Sequence, residues 1–258
     1  QIDPNANTNG GGVERLRAAG IQVHTGLCKA EAEDVHKGFI SRITQGRPFV
    51  TLKTATSADG RIATENGSSQ WITGAQARAY AHSLRAGHDA VLAGIGTVLA
   101  DDPLLTARLP GLDKKTVRVV LDSHLRINIG SKLVQSAGDE PVCIFHEYDK
   151  DNKKQQLEDG GCSIFSGTDI AGVLRVLAEQ GITRLLVEGG AGVHSSFLQA
   201  GLWDELHWLR AGKVIGGDGL ACFGALGVSD INNVLEMRRV RGQVLGDDVV
   251  DVFVRKEG

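Results

Sequence analysis

Short apolar runs bounded by turn residues recur along this chain, and helical stretches separate them. PFVTLKTATS (48–57), HDAVLAG (88–94), TVRVVLDS (116–123), EPVCIFH (140–146), GCSIFSG (161–167) and Leu185–Val187 have the length and β-branched content of strands. Between them, WITGAQARAYAHSLRAG carries a helix from about Ala75 to Arg85 with Thr73 as its N-cap, and IGTVLADD makes a helical turn or two. DIAGVLRVLAEQG places Ile170, Val173, Leu174 and Leu177 on one helical face. Glu188, Gly189 and Gly190 end the strand before them, a helix follows from about Val193 to Gln199, and Gly201 closes it. DELHWLRAGKVIGGDG is a strand and glycine turn, and RRVRGQVLGDDVVDVFVRKEG is a terminal hairpin. Alternating strands and helices predict an α/β fold: a mostly parallel sheet with helices on both faces and an antiparallel edge at the C-terminus.

Residues 1–46 differ in character. A polar, turn-rich opening leads into a short helix, VERLRAAG, then IQVHTGL with the look of a strand. AEAEDVHKGFISRITQG follows as an amphipathic helix with apolar Val35, Phe39, Ile40 and Ile43. Two helices and one strand cannot close a core. This segment is therefore expected to be the tail of another domain, with the boundary at Gly46–Pro48. The chain starts at Gln1 and its only methionine is Met237, so a missing front end is expected.

Composition narrows the classes. A hydrophobic content of 41% with 23% charged residues describes a folded domain, not a disordered one. A net charge of −3 argues against nucleic-acid binding. No apolar run reaches the length of a membrane span and no signal peptide opens the chain, so a cytoplasmic protein without membrane contact is expected. Cys28, Cys143, Cys162 and Cys222 have no C-x-x-C spacing or histidine partner, and buried thiols and no metal are expected.

Ligands in such sheets lie beyond the carboxyl ends of the strands. Four loops qualify: the one after 49–55 with Lys53, Asp59 and SSQWITG; AGIGTVLADDPLLTAR (93–108); DSHLR (122–126); and VEGGAGVHS (187–195). GIGTVL lacks the third glycine of a dinucleotide fingerprint, because Leu99 stands there. Gly94, Gly96 and Thr97 still present donors at a helix start, as does the 189–192 turn, and two such turns suit a pyrophosphate held between them. Lys53 on an apolar strand needs a carboxylate, and either Asp101 or Glu188 can supply it. Asp101 and Asp102 before Pro103 also read as turn-formers. Arg85 and Arg108 are either a phosphate clamp or solvated surface charges. Trp71 is either core or a flat wall for a ring.

VTLKTATSADGRIA, SSQWITG, TVLADDPLLTAR, VLDS, LLVEGGAGVHSSFLQAGLWDEL and KVIGGDG resemble, in order and spacing, the reductase domain of bacterial riboflavin-biosynthesis deaminase–reductases. The resemblance covers residues 47–258 as a reductase domain. DPN, GGG, RLRAAGI and the AEAEDVHKGF helix resemble the end of that family's deaminase domain, without its zinc-binding half. It implies a dihydrofolate-reductase-like fold and NADPH-dependent reduction of the ribose of 5-amino-6-(5-phosphoribosylamino)uracil. Carried over motif by motif, it implies coenzyme contacts at Ala55, Trp71, Gly94, Gly96, Thr97, Asp101, Ser123 and the turn Gly189, Gly190, Ala191, Gly192, Val193, His194, Ser195 and Ser196. Ser123 and Arg126 stand where a 2′-phosphate can be read. Substrate contacts fall on Ser69, Arg85, Leu105, Arg108 and Glu188, with the arginines on the phosphate. Lys53, Asp101 and Glu188 are the expected catalytic groups, and a homodimer is the expected assembly. Two other readings stand beside this one. A nucleotide-holding module without turnover would have lost some of these groups, and a pteridine reductase of the dihydrofolate type would not need the arginines.

Overall fold

The computed structural model describes residues 3–5, 8, 10–112, 114–149 and 152–256. Helices α1 (Gly11–Ala18) and α2 (Lys29–Gln45) precede β1 (Phe49–Thr56) and β2 (Arg61–Ala63). There follow α3 (Ala75–Ala86), β3 (Ala90–Gly94), α4 (Ile95–Asp101), β4 (Val117–Leu121), α5 (Lys132–Gln135) and β5 (Val142–His146). Then come α6 (Lys153–Asp159), β6 (Ser163–Ser166), α7 (Ile170–Glu179), β7 (Arg184–Val187) and α8 (Ala191–Ala200). The chain finishes with β8 (Glu205–Ala211), β9 (Leu220–Ala221), β10 (Met237–Leu245) and β11 (Asp248–Arg255).

Among the described residues, nine strands form one sheet in the order β10-β11-β8-β1-β7-β3-β4-β5-β6. The strands from β8 to β6 run parallel, and β11 and β10 close the other edge antiparallel. This is the α/β architecture expected from the pattern. Strand β7 returns from the far edge to lie between β1 and β3, and the next strand, β8, lies on the other side of β1. The connections thus diverge around β1, and a crevice opens beyond the carboxyl ends of β1, β7 and β3.

Side chains alternate across the sheet and define two cores. Val50, Leu52, Leu92, Leu185 and Val187 pack with Val173, Leu174 and Leu177 of α7, Phe197 and Leu198 of α8, and Trp203. Trp203 is fully buried and fills this core. Val91, Ala93, Val120, Ile144 and Leu186 face the other way, toward Val98 of α4, Leu133 of α5 and Leu157 of α6. Each large apolar side chain buried this way contributes about 1.5–3 kcal/mol. Helix α3 covers Leu209, Val250 and Val252 on that second face.

Four expectations need correction. Residues 21–27 form no strand, and Ile21 and Leu27 are exposed, because no neighbouring strand offers backbone partners. Thr73 does not cap α3. Gly74 is its N-cap, and the Gly74 N–H donates to the Asp248 carboxylate (2.6 Å) from the far edge of the chain. Cys28 is exposed, whereas the other three cysteines are buried. The short helices α5 and α6 and the two-stranded β2–β9 ribbon were not expected, because their few residues carry too little periodicity to be seen.

Helix α2 lies directly on the sheet. A Cβ on Gly38 would stand 2.6 Å from the Arg184 side chain and 2.9 Å from the Thr183 carbonyl, so glycine sets the close approach. The Lys37 ammonium donates to Glu205 (2.7 Å), and the Arg42 guanidinium donates to the Ala178 carbonyl (2.7 Å).

Candidate active site

Lys53 is the one charged residue of strand β1, and Glu188 directly follows its neighbour β7, so adjacent parallel strands deliver opposite charges to one place. The Lys53 ammonium lies 3.6 Å from Glu188, at the floor of a cleft of about 820 Å³. From α3, Arg85 meets the same carboxylate with two parallel N–H donations, of 2.6 and 2.8 Å. Its third nitrogen donates to the Thr106 carbonyl (3.1 Å). The Glu188 side chain is 6% exposed. Burial pushes its pKa up, but Lys53 and Arg85 outweigh burial and bring it down to about 2. Two cations against one carboxylate leave a net positive charge at the cleft floor.

Of the two partners open to Lys53, Glu188 is therefore the one. Asp101 ends α4 and opens onto the same cleft, and desolvation by its surroundings raises its pKa. Asp102 beside it is the turn-former: it adopts a left-handed conformation (φ 39°) and accepts the Lys132 N–H (2.9 Å). Ser69, Trp71, Ala55, Thr97, Leu105 and Arg108 also line this cleft. The arginines are not placed alike. Arg85 is committed to Glu188 and Thr106, whereas Arg108 is exposed at the rim. Trp71 is a wall, 62% exposed, with the Arg78 guanidinium stacked 4.6 Å from its ring centre.

A second cleft of about 570 Å³ adjoins the first, and Thr97 lines both. Gly94, Gly96, Gly190, Gly192, Val193, Ser123 and Ser196 line it. Here the β3–α4 and β7–α8 turns press together, and this explains their glycines. A Cβ on Gly189 would meet Ala93 Cα and the Gly94 nitrogen, each at 2.8 Å. One on Gly94 would meet a Val193 methyl at 2.6 Å. Gly190 holds φ +64°. Gly189→Ala is expected to destabilise the fold by about 1–3 kcal/mol, since the obstructing atoms are backbone. A lowered urea midpoint at unchanged slope would report it, and an unchanged midpoint would mean that the two turns can yield.

The structure does not bring every expected coenzyme residue to the clefts. His194 and Ser195 line neither. His194 is buried with its Nε2 3.3 Å from the Val187 carbonyl, and the Ser195 hydroxyl accepts the Gly224 N–H (2.7 Å). On α8 they lie on the buried side, while Val193 and Ser196, three residues apart, share the face turned to the cleft. Gly189, Ala191 and Arg126 are also absent from the lining. Asp59 braces a loop instead, accepting the Ile215 and Gly216 N–H groups (3.1 and 2.7 Å). Sequence reasoning missed His82, Arg78 and Lys132 in the larger cleft and Thr168 and Asp169 in the smaller. His82 and Arg78 were findable, since they flank Arg85 at helical spacing on α3.

Among the described residues no group of three or more His, Cys, Asp and Glu could hold a metal ion. No helix among them is long and apolar enough to cross a membrane.

A family model described as the RibD C-terminal domain matches residues 48–250. The chain belongs to the RibD C-terminal domain family. The Aquifex aeolicus riboflavin biosynthesis protein RibD is 39% identical over 256 residues, covering 98% of this chain and 71% of that protein. Its Bacillus amyloliquefaciens counterpart is 40% identical over 262 residues, covering 99% and 70%. The solved structure of Acinetobacter baumannii RibD superposes with a TM-score of 0.91 at 32% identity, over 99% of this chain and 71% of that one. Membership of the RibD family makes this a reductase domain of riboflavin biosynthesis, and the two adjoining clefts lie at its carboxyl-end crevice.

Acid should destabilise this RibD domain through two pH windows. His88 is buried, and burial, with Arg184 nearby, lowers its pKa from 6.5 to about 4. Above pH 6.5 it is neutral in both states; as pH falls toward 4 the unfolded chain takes up the proton first, so stability falls. Glu188 and Glu205 have pKa values lowered from 4.5 to about 2; for Glu205 burial opposes the shift, while His207 and Lys37 drive it. Their contribution is full above 4.5 and is lost as pH falls toward 2. Urea midpoints across this range should decline through both windows; a flat profile would refute the assignments.

Proposed function

We propose that this chain uses NADPH to reduce the ribose of 5-amino-6-(5-phosphoribosylamino)uracil to the ribityl product. The observation that carries the reading is the buried Lys53–Glu188–Arg85 cluster at the floor of a cleft that shares Thr97 with a second, glycine-lined cleft. A solved Thermotoga maritima relative, 31% identical with a TM-score of 0.83 over 98% of this chain and 69% of that one, is described as a deaminase and 5-amino-6-(5-phosphoribosylamino)uracil reductase.

The smaller cleft suits the phosphates of a dinucleotide, because the first N–H groups of α8 have no helical acceptor and the glycines leave the backbone open. Gly94, Gly96, Thr97, Ser123, Gly190, Gly192, Val193 and Ser196 would hold it, with Ala55, Trp71 and Asp101 toward the reacting end. When bound, NADPH supplies a hydride.

The chain's own residues prepare the carbon that receives it. Ring opening breaks the bond between C1 and the ring oxygen as the exocyclic nitrogen pair forms a C=N⁺ bond. The freed oxygen takes a proton from the Lys53 ammonium, which regains one from solvent. C1 then accepts the hydride while the C=N pair returns to nitrogen, giving the amine. Asp101, facing the cleft, stabilises the cationic carbon and orients a hydroxyl. Glu188, with its pKa near 2, does not carry the proton; it holds Lys53 in place. Arg108, at the rim, binds the phosphate.

Residues 1–46 form the tail of a deaminase-like domain, and the protein is cytoplasmic. A homodimer is supported by the open outer edge of β10, where Val240 and Val244 are exposed.

NADPH oxidation by the purified chain, with this substrate, its non-deaminated precursor and dihydrofolate in parallel, tests the reading. Oxidation with the first alone is expected. Turnover of dihydrofolate would overturn the phosphate argument, and tight NADPH binding without turnover would favour the non-catalytic module.

A further inference from the structure

The wall of the larger cleft opposite Lys53 is the segment 103–110, which has no regular structure and holds Leu105 at φ +57°. Leu105 anchors it in the core, and α3 adds two polar holds through side chains one turn apart. Arg85 donates to the Thr106 carbonyl (3.1 Å), and the Nδ1 of His82 accepts the Arg108 N–H (3.2 Å). The Thr106 carbonyl also faces the His82 ring. His82 itself lines the cleft, half-buried, between Arg85 and Arg108.

We propose that His82 is a positioning residue for the substrate's phosphate: its neutral imidazole fixes the Arg108-bearing wall, and protonation releases it. The inference rests on the reading of Arg108 as the phosphate anchor. An imidazole can accept at Nδ1 only while that nitrogen is unprotonated; once both nitrogens carry hydrogen, Nδ1 faces the Arg108 N–H donor to donor. The groups facing His82 are Arg85 on its own helix, Arg108 on the opposing segment and Glu188 at the end of β7. Burial, then the two arginines, lower its pKa against the opposing pull of Glu188, so the neutral, accepting form prevails at neutral pH.

The test uses three forms of the full chain: the native chain, His82→Leu and His82→Asn. The asparagine amide oxygen can stand where Nδ1 stands, and it does not titrate. Two quantities are read, the kinetic constants for the phosphoribosyl substrate and the dissociation constant of ribose 5-phosphate by calorimetry. His82→Leu is expected to raise both KM and that dissociation constant by about five- to tenfold with kcat little changed. His82→Asn should restore most of the loss. Between about pH 7.5 and about pH 5, affinity for ribose 5-phosphate should fall more in the native chain than in His82→Asn. That comparison cancels the phosphate's own titration.

Four results would overturn the inference. A fall in kcat at unchanged KM in His82→Leu would make His82 a proton-transfer group. Affinity rising with acid in the native chain relative to His82→Asn would make the imidazolium itself the anion ligand. Equal affinities in all three forms, or no binding of ribose 5-phosphate by the native chain, would remove the positioning role. The calorimetric readout does not need turnover, so the inference can stand if reduction fails and can fail if reduction holds.

Discussion

Replacing Glu188 by glutamine is expected to lower kcat/KM by about a thousandfold and to destabilise the fold, both at once. The carboxylate is the shared partner of Arg85, at 2.6 and 2.8 Å, and of Lys53, at 3.6 Å. A neutral amide leaves two cations close together with no counter-charge in a nearly closed site. Removing one partner of a buried ion pair costs about 3–5 kcal/mol, because the remaining charge is desolvated without compensation. Arg85 also anchors the Thr106 carbonyl, so the cleft wall should loosen with it. Steady-state kinetics with a urea unfolding curve would check this. Native-like turnover together with native-like stability would show that the cluster is held by something other than its charge balance.

Lys53→Met should behave differently, with kcat falling about a hundred- to a thousandfold while stability stays within about 1 kcal/mol of native. Methionine keeps the length of the side chain on β1, and Glu188 retains its two-point contact with Arg85, so no buried charge is orphaned. What disappears is the ammonium at the cleft floor, the proton source in the proposed ring opening. If both variants lost activity and stability in parallel, Lys53 would be a structural cation, and the proton would have to come from elsewhere. Asp101, with its raised pKa, would then be the first group to examine.

The two variants separate roles that one hydrogen-bonded cluster obscures. Glu188 has opposite demands on its pKa, upward from burial and downward from two cations, and the cations win. A carboxylate so firmly ionised orients its neighbours and does not shuttle protons. The same logic divides the arginines. Both were chemically suited to a phosphate, yet Arg85 spends its donors inside the protein and only Arg108 reaches the rim.

Much of the fold was legible along the chain. Strands β1 and β3 to β7 were visible as short apolar runs, and the stripe Ile170, Val173, Leu174 and Leu177 marked the buried face of α7. The strand predicted at 21–27 failed because a strand needs a neighbour, and sequence alone does not say whether one is there. The cap predicted at Thr73 failed because the actual partner of the first turn of α3, Asp248, lies 174 residues away.

For the site, residue chemistry and the ends of strands were enough to select Lys53, Asp101, Arg108 and Glu188, and all four line one cleft. Periodicity fixes which side of a strand or helix a residue takes and which loops stand at the ligand end, since both follow from local backbone geometry. It could not show that Gly189 is glycine because β3 passes 2.8 Å from where its Cβ would be, or that His194 and Ser195 turn inward. Nor could it show that His82 holds the loop bearing Arg108. Those facts depend on distances between segments remote in the chain, and such distances exist only once the sheet has ordered its strands and the helices have packed against them.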